Sequence, residues 1–163
     1  MYKNSNFKKR KIFFTVLFIL YFITLMYIIL LKFGEGFIVA EHMSQFSIKE
    51  KISFIQIIPF KTIIDFLNKD YTSSISNVLG NILIFTPLGF LLPILSEKFK
   101  KAKNLLIISF LVSFSIELIQ LFSGLGFTDI DDIILNVTGA ILGFYIYKCI
   151  NKILKLKYKE DSF

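Results

Sequence analysis

The chain has one cysteine, Cys149, one histidine, His42, and no tryptophan. A lone cysteine excludes an internal disulfide and any cysteine-cluster metal site. A lone histidine leaves no metal centre built on histidines, and His42, in a connecting segment, reads as a solvated residue. No Ser–His pair and no nucleotide-binding loop is recognisable. No cofactor and no bound metal are therefore expected.

Charge is scarce where it matters. Apolar residues make up 55% of the sequence, and the mean hydropathy is +0.67. A soluble domain carries roughly 45–50% apolar residues even with glycine counted. Length fits one domain. The apolar residues fall in blocks without helical or strand periodicity, so no water-facing face emerges.

Four blocks are long enough to cross a bilayer, at about residues 12–31, 78–95, 104–122 and 132–150. Ile12–Leu31 and Val78–Leu95 carry no charge, and Leu105–Phe122 carries only Glu117. A hydrocarbon core of about 30 Å takes about 20 helical residues, with about 17 tolerated. Lipid cannot satisfy exposed backbone groups, so helices are favoured. The blocks lack the alternation of barrel strands. The expected fold class is all-α. It is a polytopic membrane protein with four transmembrane helices and a long outer loop, residues 32–76, carrying a short interfacial helix. For the first block, the alternative is a cleaved signal peptide. Its basic start, Lys8-Lys9-Arg10-Lys11, would suit one. Its apolar core is longer than the usual 7–15 or so residues, and no small-x-small site follows.

Basic residues set the orientation. Most of the 19 lie before the first span, between the second and third (Lys98, Lys100, Lys101, Lys103), or at the C-terminal end. Four spans put these regions on one side, which the positive-inside tendency makes cytoplasmic. The N- and C-termini are thus expected in the cytoplasm, with a basic tail at residues 151–163 against anionic headgroups. The net charge of +7 serves the membrane, and no nucleic-acid partner is expected.

The outer loop leaves the first span at Gly34 and Gly36. Its segment 52-ISFIQIIPFKTIIDFLNKD-70 returns to apolar character, broken by Pro59. From Thr62 the pattern predicts a short helix in the outer interface or folded back on the spans.

A charge at mid-membrane costs about 2.5–3.5 kcal/mol on insertion scales, so polar residues within spans must be placed. Asn77 and Asn81 share one face of the second span. Pro87 removes a backbone donor there and frees the Leu83 carbonyl. Pro93 marks the inner end. Ser113, Glu117 and Gln120 make one stripe on the third span. Asp129, Asp132 and Asn136 make one face of the fourth, continued by Gly139 and Gly143, a GxxxG pair suited to close helix contact. That contact could lie within the chain or between copies. The topology brings all three polar faces to one depth, a turn or two below the outer surface. Asn77, Asn81, Glu117, Gln120, Asp129, Asp132 and Asn136 are the candidate binding residues. Glu117 is expected to be protonated at neutral pH, donating to Asn81 or Asn136. The structural reading of the same residues is interhelical hydrogen bonding, with Thr128 and Asp131 forming a Thr-x-x-Asp capping box.

The blocks 76-SNVLGNILIFTPLGFLLP-93, 115-SIELIQLF-122 and 129-DIDDIILNVTGAILG-143 resemble the VanZ-like family, as does 57-IIPFKTI-63. The resemblance covers about residues 55–145. It implies a single VanZ-like membrane domain over 1–163, in the bacterial cell membrane. It also implies an association with low-level resistance to the glycopeptide teicoplanin. Two features depart from the family's pattern. No Arg precedes the acidic block in the turn Ser123–Thr128, where Lys61 or Lys69 could substitute, and Gln56 stands where many members have Asn.

Three functions compete. The first is an envelope resistance protein whose outer polar pocket binds an amphiphile: a membrane lipid, a lipid-linked cell-wall precursor or a lipophilic drug. The second is a membrane-embedded enzyme using Glu117 and Asp132 as acid and base. The third is a proton-coupled carrier, which the apolar inner halves of the spans disfavour.

Overall fold

A computed structural model of the chain describes residues 2–31, 41, 45–69, 71–125 and 128–160. The departure at Gly34 and Gly36, His42, and part of the turn before the acidic block (126–127) lie outside the described residues. The elements are α1 (Tyr2–Leu31), α2 (Ile48–Ser53), α3 (Lys61–Lys69), α4 (Tyr71–Leu95), a 3-10 turn (Glu97–Lys100), α5 (Ala102–Ser123) and α6 (Ile130–Glu160). Among the described residues there is no strand, only an isolated parallel bridge between Gln56 and Asp129. Among the described residues, four helices contain windows long and apolar enough to cross a membrane: Lys8–Ile28, Val78–Leu95, Ala102–Ser123 and Ile130–Leu154.

The helices outrun their apolar blocks. Helix α4 begins at Tyr71 and passes through both Pro87 and Pro93 to Leu95, so Pro93 lies inside the helix rather than ending it. Residues 151–160 continue α6. Lipid demands apolar side chains only across its core, whereas Leu and Lys extend a helix into water at little cost. Helix α5 stops at Gly124, whose φ of 72° is one that residues with a Cβ rarely adopt. The Gly124 N–H closes on the Gln120 carbonyl at 2.8 Å.

Helices α4 and α6 form the most extensive contact, followed by α5 with α6. Glycine makes the first possible. A Cβ on Gly139 would lie 2.2 Å from the Ile82 carbonyl oxygen, and one on Gly143 1.9 Å from that of Thr86. Gly89 on α4 meets the Ala140 backbone in the same way. The GxxxG face is therefore spent on packing within the chain, on α4. Phe85, Leu88, Leu92, Leu105, Ile116 and Phe144 fill the space between α4, α5 and α6, and α1 contributes Leu25.

Helix α1 is peripheral. Only 6% of its spanning window is buried, against 33% for each of the other three. Its polar tie is Tyr21, whose hydroxyl donates to the Ile84 carbonyl at 2.9 Å, one residue beyond the carbonyl that Pro87 leaves without a helical donor. Side chains such as Phe13, Ile23, Phe110, Leu111 and Tyr145 point outward, as contact with acyl chains requires. The start of α1, the end of α4 and the end of α6 share one end of the bundle. The acidic block and the loop helices lie at the other.

Candidate functional site

Helix α6 begins at Ile130, and its first amides need acceptors. Asp129 takes the cap position, where its Oδ1 accepts the Asp131 N–H at 2.9 Å. The N–H of Asp129 donates to Glu117 Oε2 at 2.9 Å. That of Ile130 donates to the Gln56 carbonyl, and the Gln56 N–H donates to the Thr128 carbonyl, each at 3.0 Å. The expected Thr128–Asp131 capping box is thus corrected by one residue. Thr128 turns its hydroxyl to the Glu117 carbonyl at 3.2 Å, because the Asp131 side chain is engaged elsewhere.

Asp131 is 1% exposed. Its Oδ1 accepts the Phe60 N–H at 2.5 Å, and its Oδ2 those of Thr62 and Ile63 at 2.9 and 3.3 Å. These amides open α3. Phe60, at the cap position of α3, has no side-chain acceptor to offer, so the carboxylate arrives from α6. A negative charge there also suits the helix dipole. Phe60 has φ 65°, a left-handed conformation uncommon for an aromatic residue. Just before it, the Gln56 amide closes on Ile58, taking its N–H at 2.9 Å and donating to its carbonyl at 2.5 Å. The segment around Ile55–Ile63 is thereby tied across the start of α6.

Two more polar contacts run along α6. Asn81 Nδ2 donates to Asp132 Oδ1 at 2.6 Å, and both residues are half-buried. Asn136 Nδ2 donates to Ser113 Oγ at 3.0 Å, and both are buried. Gln120, also buried, shares the Glu117 face of α5. Ser109, fully buried, extends the stripe one turn. Sequence reasoning passed over it, although a step of four back from Ser113 finds it.

Of the seven expected residues, Asn81, Glu117, Gln120, Asp129, Asp132 and Asn136 lie toward the loop-bearing end, and the side chain of Asn77 is outside the described residues. The structure joins Asn81 to Asp132 and Asp129 to Glu117. The Asn81 amide donates to Asp132 and the Asn136 amide to Ser113, whereas Glu117 Oε2 accepts the Asp129 N–H. Glu117 is tolerated at 2% exposure because its side chain accepts the Asp129 N–H, and a buried polar group that is hydrogen-bonded escapes much of the desolvation cost. Of the two lysines expected to stand in for the missing Arg, the side chain of Lys69 lies outside the described residues, and Lys61 is engaged nearby. Its Nζ pairs with Asp65 at 2.8 Å, which raises its pKa above the ordinary lysine value, and Asp129 adds only a smaller attraction.

The family model described as VanZ/LLP1 matches residues 18–153. The chain is also 29% identical, over 140 residues, to Protein VanZ of Enterococcus faecium, an alignment covering 85% of this chain and 75% of that protein. No solved structure matches it. The matched region begins midway along the first span and runs through the second and third to the last turn of the fourth, with the loop and acidic block they carry, and the chain belongs to the VanZ/LLP1 family.

Proposed function

We propose that this protein sits in the bacterial cell membrane with both termini cytoplasmic and lowers susceptibility to teicoplanin or a similar lipophilic antibiotic. In this reading the loop-bearing end faces outward, and its polar cluster binds the polar part of an amphiphile. A membrane lipid, a lipid-linked cell-wall precursor and the drug itself are the ligand classes that fit. Similarity to Protein VanZ and the basic residues at the other end support the setting.

The observation that carries the reading is the half-buried Asn81–Asp132 pair. A ligand can reach a half-buried amide and carboxylate. The buried carboxylates serve the frame instead, since Glu117, Asp129 and Asp131 all accept backbone N–H groups. The acid–base alternative draws less support, because Glu117 is buried and its Oε2 meets the Asp129 N–H.

The test is teicoplanin susceptibility of a sensitive host expressing the protein. Asp132→Asn is expected to reduce protection at equal membrane abundance. Full protection by Asp132→Asn, or no protection by the wild type, counts against the reading.

A further inference from the structure

The opposite end of the bundle holds a cavity of about 360 Å³ between α1, α4, the 3-10 turn and α6. Its size falls within the usual range for small-molecule sites, about 300–1,000 Å³. Arg10, Glu97, Lys100, Tyr147 and Asn151 supply its polar lining. Phe14 and Phe90, each one turn further into the bilayer than Arg10 and Ile94, supply apolar wall. The spanning windows begin or end at Lys8, Leu95 and Leu154, so the cavity lies where hydrocarbon gives way to headgroups.

Its electrostatics are asymmetric. Lys100 is paired with Glu97. Among the described residues no ion pair involves Arg10. The cavity therefore presents two cations against one carboxylate, and Glu97 is largely exposed, at 85% of its side chain. The hydrogen bond that Lys100 donates to Glu97, with a lesser contribution from Tyr147, holds the Lys100 pKa above the ordinary lysine value. Polar cationic groups above an apolar wall match a molecule with an anionic head and acyl chains. A soluble anion would leave the phenylalanine wall unused.

We propose that this cavity seats the phosphate headgroup of an anionic phospholipid, with Arg10 and Lys100 on the phosphate, Tyr147 and Asn151 on its polar substituent, and the acyl chains leaving past Phe14 and Phe90. Basic pockets between spanning helices are suited to such headgroups. The leaflet it belongs to rests on the orientation proposed above, whereas the site itself does not.

The test is lipid retention. The full chain is reconstituted in nanodiscs of mixed phosphatidylglycerol and phosphatidylcholine, and co-purifying lipid is quantified after detergent extraction. Both lipids are available to either end, so the outcome is independent of orientation. The wild type is expected to retain phosphatidylglycerol preferentially. Replacing both cations (Arg10→Gln with Lys100→Gln) should lower that preference by about thirtyfold, the scale of two basic side chains at a membrane surface. Replacing Lys98 and Lys103 by Gln removes the same charge from the same end outside the cavity and should change it little. Glu97→Gln should raise retention, an increase that misfolding cannot produce. Equal losses in the two double variants, no loss in either, or a fall with Glu97→Gln would each overturn the proposal. So would displacement of the bound lipid by excess inorganic phosphate alone, which would make this a site for the free anion.

Discussion

Asp131 and Phe60, 71 residues apart, are joined by a 2.5 Å hydrogen bond from the Phe60 backbone to the Asp131 carboxylate. The acidic block of one spanning helix thus supplies the cap that a loop helix lacks. This contact makes the docked loop and the start of α6 one unit.

Removing that carboxylate should release the loop. Asp131→Ala strips the acceptor from the amides of Phe60, Thr62 and Ile63, at about 1–3 kcal/mol for a buried group left unsatisfied. Hydrogen exchange at residues 60–63 in detergent micelles is expected to accelerate by one to a few orders of magnitude, while exchange in the centre of α5 stays slow. Unchanged exchange at Thr62 and Ile63 would mean that Asp131 does not cap α3.

Phe60→Gly separates backbone strain from side-chain packing. The left-handed conformation at φ 65° costs an L-residue about 1–2 kcal/mol relative to glycine. The Phe60 side chain is 54% exposed, so little packing is lost. Slower exchange of the loop amides is expected, and faster exchange would show that the ring, not the turn, holds the segment.

Glycine substitutions should sort by what each faces. Gly139→Ala and Gly143→Ala place a methyl group 2.2 and 1.9 Å from backbone oxygens of α4, which cannot yield without parting the helices. Each should lower the melting temperature of the detergent-solubilised protein. Gly80 meets nothing within 4 Å. Gly80→Ala should leave the melting temperature unchanged or raise it, since alanine is favoured over glycine in a helix interior by about 0.5–1 kcal/mol. Equal destabilisation by all three would refute the close α4–α6 contact.

The loop helix α2 should respond to acid. Its cap, Ser47, and Glu50 bond reciprocally. The Ser47 hydroxyl and then its N–H hold the Glu50 pKa below the ordinary glutamate value. A lowered folded-state pKa stabilises the helix above the ordinary value, and that contribution fades as pH falls through the lowered one. NMR titration of the Glu50 carboxyl should give a midpoint below that of an unstructured glutamate, with Ser47→Ala moving it back up.

How far the sequence could be read depended on the range of each interaction. The spans were legible because lipid permits few ways to bury apolar blocks such as Ile12–Leu31. Polar stripes were legible from helical spacing, which put Asn136 and Ser113 on facing helices. The cap of α6 was displaced by one residue, because Thr128 and Asp129 are both good caps and the choice depended on where Asp131 was needed. The Asp131 partner was hidden, since nothing local links a carboxylate to a loop 71 residues earlier. Gly139 and Gly143 announced a close contact but not its partner, as the same pattern serves neighbours within a chain or between chains.

The most direct test of the proposed site exchanges the two members of its half-buried pair. Asp132→Asn alone leaves two amides facing each other and should weaken protection against teicoplanin. Adding Asn81→Asp restores one amide and one carboxylate within the same 2.6 Å contact. The double variant is predicted to recover much of the protection at equal membrane abundance. Protection undiminished in the single variant, or no better in the double than in the single, would contradict a ligand role for the Asn81–Asp132 pair.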